Sequence, residues 1–178
     1  MTAQIKGSSL TARFVASAAG LLMAVSAQCA DAAEAQSPYV MTVIADRAQG
    51  EQVVSGQYED AIAAITSPKS QNRDSFAASN NLCVAYTKMN DLAKATAACA
   101  DALQVSKNTF GPWYDASRMR SDRALALSNR GVIRAITGDD SGARQDFELA
   151  IKLGRKLSAP VENLARLETE AGETVSSL

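Results

Sequence analysis

Two stretches of the sequence are variants of one helical hairpin, and this internal repeat constrains the fold more than any single residue does. The first stretch runs from Ala77 to Leu103 and the second from Ala126 to Ile151. Each contains a Ser-Asn pair, a small residue, a turn and an alanine-rich second helix. Because a repeated hairpin buries its apolar face against its neighbours, the pattern predicts an all-α stack of hairpins. Such a stack offers a surface for binding and is rarely the scaffold of an active site.

Alanines at matching positions give the period of the repeat. Ala61 and Ala95 are 34 residues apart, and Ala143 follows Ala95 by 48 residues. The longer interval exceeds the shorter one by 14 residues, which is close to four turns of about 3.6 residues each. An insertion of that length extends a helix without rotating its buried face, so a long helix is predicted over Asp115 to Ile136.

The hairpins also share a residue pattern. In the second hairpin, Leu82-Cys83-x-x-Tyr86 is followed by Ala95-x-x-x-Cys99. In the third, Leu127 and Gly131 are followed by Ala143-x-x-x-Phe147 and Ala150. Cys83 and Gly131 are expected to face Ala95 and Ala143 where the paired helices approach most closely, since larger side chains would force them apart.

Over roughly Thr42 to Leu153 the chain therefore resembles the tetratricopeptide repeat family, whose period is 34 residues. The resemblance implies a right-handed α-solenoid of three antiparallel hairpins, at about 42–66, 75–105 and 115–153. A helix over 159–171 is expected to cap the stack, and 172–178 is expected to be a flexible tail. Within the first hairpin, a helix is predicted from Thr42 to Ser55.

The start of the sequence has the features of a secretory signal over residues 1–32. A basic start that ends at Arg13 precedes Phe14 to Ala27, an apolar run of 14 residues that is too short to cross a bilayer. Small-x-small sites follow the run. Cleavage is expected after Ala32, with Ala27 and Ala35 as alternatives, and the mature chain then begins with a lead-in that ends at residue 41.

Export places the mature protein in the periplasm or outside the cell. An uncleaved membrane anchor is the alternative, whereas lipid attachment at Cys29 is disfavoured because Gln28 precedes it where a small residue is normally needed. After cleavage no stable insertion into a membrane is expected.

Composition argues against several classes of function. The net charge is −1, so no strong field attracts nucleic acid. The chain contains no histidine, which excludes Ser-His and Cys-His dyads and histidine zinc sites. Phosphate-binding glycine loops and the Gly-x-Ser-x-Gly motif are also missing from the sequence. A non-enzymatic protein without metal or cofactor is expected.

The resemblance implies a concave groove lined by the first helix of each hairpin. The residues expected to line it are Asn80, Val84, Thr87 and Lys88 of the second hairpin and Leu125, Ser128, Val132 and Ala135 of the third. This surface is neutral and mildly apolar. Because Asn80 and Ser128 stand where some family members carry lysine, binding of acidic peptide tails is disfavoured.

Three further sets of residues have two possible roles each. Cys83 and Cys99 form a disulfide across one hairpin, or pack as two buried thiols. Arg123, Arg130 and Arg134 share one face of the long helix and bind an anion, or pair internally with acids such as Asp101. Three aromatic residues beside one loop form a contact for a partner, or cover the end of the long helix: Phe110, Trp113 and Tyr114.

Two functions remain open at this point. The first is an exported interaction module that holds a peptide or a helix of a partner protein in its groove. The second is a self-associating structural or accessory subunit of a cell-envelope complex, which implies a homo-oligomer.

Overall fold

The structure is a computed structural model that describes residues 37–70, 75–108 and 115–176, and within these ranges its regular secondary structure is all α-helical, without strands. The prediction of an all-α fold is thereby confirmed for the described residues. The helices are α1 Gly50–Val54, α2 Tyr58–Thr66, α3 Ser75–Lys88, α4 Leu92–Asn108, α5 Ala116–Ile136, α6 Asp140–Leu153 and α7 Ala159–Ser176.

Turns of three residues join α1 to α2, α3 to α4 and α5 to α6, and the two helices of each pair pack against each other. The middle residue of each turn has a left-handed backbone, with φ of 80° at Gly56, 57° at Asn90 and 82° at Gly138. Glycine and asparagine are the residues that adopt this conformation at least cost. The three turns are therefore built alike.

The helices α3, α5 and α7 lie next to one another, because α5 contacts both α3 and α7. The helices α4 and α6 complete the core, since α4 packs against α5 and α6 packs against α7. The core is rich in alanine, with few large rings. A Cβ on Gly131 would meet the Phe147 ring at 2.5 Å, and Phe147 belongs to the same core group as Ala143, the residue that Gly131 was expected to face.

The N-terminal part of the domain departs from the sequence-based prediction. A helix was predicted over Thr42 to Ser55, but only Gly50–Val54 is helical, and residues 39–44 form an extended segment. A run of β-branched residues, Thr42, Val43 and Ile44, disfavours the helix because χ1 is restricted there. Left-handed backbone at Ala48 and Gln49, with φ of 46° and 58°, then separates the segment from α1.

At the other end, α7 continues to Ser176, although residues 172–178 were predicted to be a tail. The proposed signal, residues 1–32, lies outside the described residues. So do Phe110, Trp113 and Tyr114, for which a partner contact was considered. Within the described ranges, no helix combines the length and the apolar character needed to cross a membrane.

Candidate functional site: an asparagine-lined groove

Three buried asparagines, one each on α3, α5 and α7, hold the backbone of the extended segment. Asn163 accepts a hydrogen bond from the Val40 N–H at 2.8 Å and donates to the Val40 carbonyl at 2.8 Å. Asn129 holds the N–H and carbonyl of Thr42 at 2.8 and 2.9 Å. Asn81 holds those of Ile44 at 2.9 and 3.0 Å. We call this set, Asn81, Asn129 and Asn163, the asparagine groove.

The geometry resembles strand pairing without a second strand. In an extended chain, every second residue directs its N–H and carbonyl to the same side. A carboxamide has the donor and the acceptor of a peptide group, so each asparagine takes the place of one residue of a neighbouring strand. Among the described residues, the backbone of the extended segment forms no hydrogen bond to another backbone group.

Asn80 links two parts of this network. Its Nδ2 donates to the Thr42 carbonyl at 3.0 Å, and its Oδ1 accepts a hydrogen bond from Asn129 at 3.0 Å. Asn81 also donates to the carbonyls of Arg47 and Ala48, at 2.9 and 3.1 Å, and so holds the turn after the segment. Asn80, Asn81, Asn129 and Asn163 are each at most 1% exposed. Buried carboxamides need such partners, because an unpaired polar group in the core is destabilising.

The intervening residues of the extended segment place their side chains in the core. Tyr39 is buried, and its ring stacks on that of Phe147 with the centroids 6.4 Å apart. Met41 packs against three separate groups of core residues, and Val43 packs against one of them. The segment is thus held by its backbone at Val40, Thr42 and Ile44 and by side chains at Tyr39, Met41 and Val43, and the Ile44 side chain also packs against a core group.

The phenol of Tyr39 also connects the segment to α7. Its hydroxyl donates a 2.5 Å hydrogen bond to Glu170. Burial raises the pKa of Tyr39 above its usual value of 10.0, and the hydrogen bond to the Glu170 carboxylate raises it further. The extended segment therefore holds Tyr39 as the neutral phenol, because only the neutral form can donate the hydrogen bond to Glu170.

Sequence reasoning missed the asparagine groove, although the sequence contains its signal. Asn81 and Asn129 are 48 residues apart and Asn129 and Asn163 are 34 apart, which are the same two intervals as between the repeat alanines. The three asparagines thus occupy one repeat position. Asn163 lies on α7, the helix that was predicted to cap the stack.

The residues predicted to line an open groove divide into two groups. Asn80, Val84, Ser128 and Val132 are at most 2% exposed. Val84 and Val132 belong to core groups that the extended segment contacts: Met41 packs against both groups, Tyr39 belongs to the group of Val132, and Val43 packs against that of Val84. The remaining four are partly exposed: Thr87, Lys88, Leu125 and Ala135. The predicted face is therefore occupied by the chain's own residues 39–44.

Two of the three arginines in the predicted stripe pair internally, with Asp146 on α6. Arg130 makes two hydrogen bonds to the Asp146 carboxylate, at 2.7 and 2.6 Å, and Arg134 approaches it at 3.2 Å. The hydrogen bonds to Asp146 raise the pKa of Arg130 above its usual value. The observed partner, Asp146, lies on α6, which follows α5. Asp101, which was suggested as a partner, lies on α4, which precedes α5. Asp146 is 3% exposed, so this pair joins α5 to α6 in the core.

Arg123 lies elsewhere, at the wall of a cavity of about 310 Å³. The other lining residues are Ser106, Lys107, Ala116, Met119, Arg120 and Leu153. The structure thus separates Arg123 from Arg130 and Arg134, and the three do not form one anion site.

Cys83 and Cys99 are joined in a disulfide between α3 and α4, with Cα atoms 5.0 Å apart. Both residues are at most 1% exposed. They pack with Ala95 and Ala98 in the hairpin interior, and Ile133 of α5 contacts the same group. The bond thus holds together the two helices of the hairpin that carries Asn81.

Comparison with protein-family models, with characterised proteins and with solved structures found no match for this chain. In the described ranges, no three histidine, cysteine or acidic side chains come together as metal ligands. Among the described residues, the asparagine groove is the feature that suggests a function.

Proposed function

We propose that this chain is a non-enzymatic interaction module of the tetratricopeptide type, and that it binds an extended peptide of a partner protein along α3, α5 and α7. The observation that carries the proposal is the set of paired hydrogen bonds from Asn81, Asn129 and Asn163 to the backbone of an extended segment. A groove that holds peptide backbone at regular intervals is suited to polypeptide ligands.

The repeat character of the chain supports the tetratricopeptide assignment. The left-handed turn residues Gly56 and Asn90 are 34 residues apart, as are Asn129 and Asn163. A right-handed solenoid follows if each hairpin stacks on the previous one in the same way. The groove asparagines would then recur once per repeat along one face.

Export to the periplasm or beyond is part of the proposal. It is supported by the basic start, the 14-residue apolar run and the small-x-small sites within the first 35 residues. A disulfide between Cys83 and Cys99 fits an oxidising compartment, where such bonds persist. Intact-mass measurement of protein from an export-competent host tests this part, because retention of residues 1–27 would contradict it.

Affinity capture from the periplasmic fraction of the native host tests the interaction itself. The full-length protein is expected to retain a specific partner, and Asn129→Ala is expected to lose it. Thr96→Ala, an exposed substitution on α4, serves as the matched control and is expected to behave as the wild type. The absence of a specific partner under native conditions would contradict the proposed function.

The alternative function is a self-associating subunit of an envelope complex. One observation favours it: the peptide in the groove belongs to this chain, so a second copy carries a segment that fits the same groove. Size-exclusion chromatography with light scattering separates the two functions. A stable homodimer supports the alternative, whereas a monomer that captures a different protein supports the interaction module.

A further inference from the structure

We propose that residues 39–44 are a tethered internal ligand, which a foreign extended peptide of the same chemistry displaces from the asparagine groove. This inference rests on the proposed function and specifies its ligand. The ligand has free N–H groups at three alternate positions, corresponding to Val40, Thr42 and Ile44. At the intervening positions it carries an aromatic residue followed by two apolar residues, corresponding to Tyr39, Met41 and Val43.

The extended segment is attached to the domain as a bound peptide is. Its hydrogen-bonding partners at Val40, Thr42 and Ile44 are all side-chain amides, and none of the described helices continues into it. Displacement therefore leaves the helices and their own hydrogen bonds intact. Exchange requires that the segment leave the groove while the domain stays folded, and this is what the experiments below test.

The hydrogen bonds of the groove tolerate different residues at the alternate positions. Each asparagine contacts an N–H and a carbonyl, which every residue except proline possesses. Val40 is 41% exposed, so its side chain adds little to the fit. Selectivity comes from the side chains that pack in the core: the aromatic ring that stacks on Phe147, the two intervening apolar residues, and the residue at the position of Ile44.

The connection to α1 opposes docking of the internal segment. Ala48 and Gln49 are consecutive non-glycine residues in the left-handed region, which is unfavourable for L-amino acids. Gly50 is also essential to the turn, because a Cβ there would overlap the Ile44 carbonyl and lie 2.7 Å from the Ala45 Cα. A separate peptide makes the same groove contacts without this turn. It can therefore compete with the internal segment, although the tether gives that segment a high local concentration.

Hydrogen exchange on the unmodified full chain is the first test. If the segment leaves the groove, the amides of Val40, Thr42 and Ile44 exchange through local opening. They are expected to exchange at least about tenfold faster than the amide of Val132 in the middle of α5. Equal protection of the four amides would mean that the segment opens only when the domain unfolds, and would overturn the proposal.

Binding of a labelled peptide is the second test. The probe is a fluorescent peptide with the sequence of residues 37–44, SPYVMTVI. Full-length Gly50→Ala, in which the internal segment is pushed out, is expected to bind it about tenfold more tightly than the wild type, since more of the protein has an open groove. Gly172→Ala is the matched control, because a Cβ there meets nothing within 4 Å.

A chemical variant of the probe tests whether the groove recognises the backbone of the peptide. A peptide N-methylated at the residue equivalent to Thr42 keeps every side chain but lacks the N–H that Asn129 accepts. Binding is expected to weaken about tenfold or more. Unchanged affinity for this peptide, or no binding of the parent peptide to Gly50→Ala protein with intact helical circular dichroism, would overturn the proposal.

The outcomes also separate this inference from the proposed function. A partner captured equally by wild type and by Asn129→Ala would leave the interaction module standing but place its site elsewhere. If the protein forms a concentration-dependent homodimer and the peptide dissociates it, the groove binds a second copy of this chain. That result would overturn the proposal of a foreign ligand. Faster amide exchange together with tight, N-methyl-sensitive peptide binding supports the inference.

Discussion

At the scale of single residues, the function of each asparagine is determined by what surrounds it. Asn129 is 1% exposed and is hydrogen-bonded both to Thr42 and to Asn80. A carboxamide in such a position has a structural task, because a residue without an acceptor there leaves the Thr42 N–H unpaired, whereas the Thr42 carbonyl keeps its bond from Asn80. The same argument applies to Asn81 and Asn163.

Asn129→Ala is expected to lower the free energy of unfolding by about 1–3 kcal/mol, because the N–H of Thr42 loses its acceptor in the core. Urea denaturation followed by circular dichroism measures the change. Asn108→Ala, at the exposed end of α4, is the matched control and is expected to be within about 0.5 kcal/mol of wild type. Equal stability of the two variants would show that the groove hydrogen bonds contribute nothing to the fold.

Gly131→Ala tests the close approach of α5 and α6. Alanine is normally the better helix former, but its Cβ would lie 2.5 Å from the Phe147 ring. The expected net result is a destabilisation of about 1–3 kcal/mol from overpacking. Gly172→Ala has open space around it and is expected to be neutral or slightly stabilising. A stabilised Gly131→Ala protein would contradict the packing described for this pair.

At the scale of helices, each hairpin has its own connection between its two members. A disulfide joins α3 to α4, and a buried ion pair joins α5 to α6. Both connections lie away from the helix ends, so they restrict sliding and separation alike. Their contributions can be measured separately because no residue is shared between them.

Reduction of the disulfide is expected to lower the melting temperature. In the chain-entropy model, a loop of about 15 residues corresponds to about 3 kcal/mol of stability. Thermal unfolding with and without reductant measures the effect. The control is Cys83→Ala with Cys99→Ala, which is expected to melt at a lower temperature than the oxidised wild type and to be insensitive to reductant. An unchanged melting temperature on reduction of the wild type would contradict the prediction.

Asp146→Asn is expected to destabilise the α5–α6 hairpin by about 2–4 kcal/mol, because it leaves Arg130 without its charged partner in a largely buried position. Equilibrium unfolding in urea measures the change. Glu168→Gln is the matched control, since it removes an exposed ion pair with Arg144 and is expected to cost at most about 1 kcal/mol. Similar losses in the two variants would argue against a special role for the buried pair.

At the scale of the whole molecule, the extended segment crosses all three groove helices. Its backbone contacts α3 at Ile44, α5 at Thr42 and α7 at Val40. Its first buried residue, Tyr39, is hydrogen-bonded to Glu170, so the two ends of the described chain meet. Stability of the molecule should therefore depend on the protonation of this one phenol.

Stability is expected to fall as the pH rises above about 10. In the folded protein the raised pKa of Tyr39 keeps the phenol protonated, whereas the unfolded chain loses the proton near its usual value of 10.0. The folded state then binds more protons, and unfolding becomes more favourable with each further increase in pH. The stabilisation is fully present below that value, so neutral and acidic solutions show no dependence from this group.

Melting curves between about pH 8 and 11 check this expectation. The control is Tyr39→Phe, which keeps the ring against Phe147 but has no ionisable group. The wild type is expected to lose its advantage over Tyr39→Phe as the pH rises. Parallel melting curves for the two proteins across this range would contradict a raised pKa in the folded state.

Much of the helical framework could be predicted from the sequence. The apolar and alanine periodicity, the turn residues Gly56 and Gly138 and the capping residue Asp115 are local signals, and each acts within a few residues of its own position. This is why the all-α class and the bounds of α5 agreed closely with expectation. The tetratricopeptide assignment, the export signal and the function remain proposals.

The path of residues 39–44 was decided only by the tertiary structure. A helix was predicted from Thr42 onward, but three asparagines from positions up to 123 residues away satisfy the backbone of an extended chain instead. The sequence determined that these asparagines recur at the repeat interval. Which backbone they hold depends on the packing of α3, α5 and α7 side by side, because only that packing brings the three carboxamides into line with alternate residues of one extended segment.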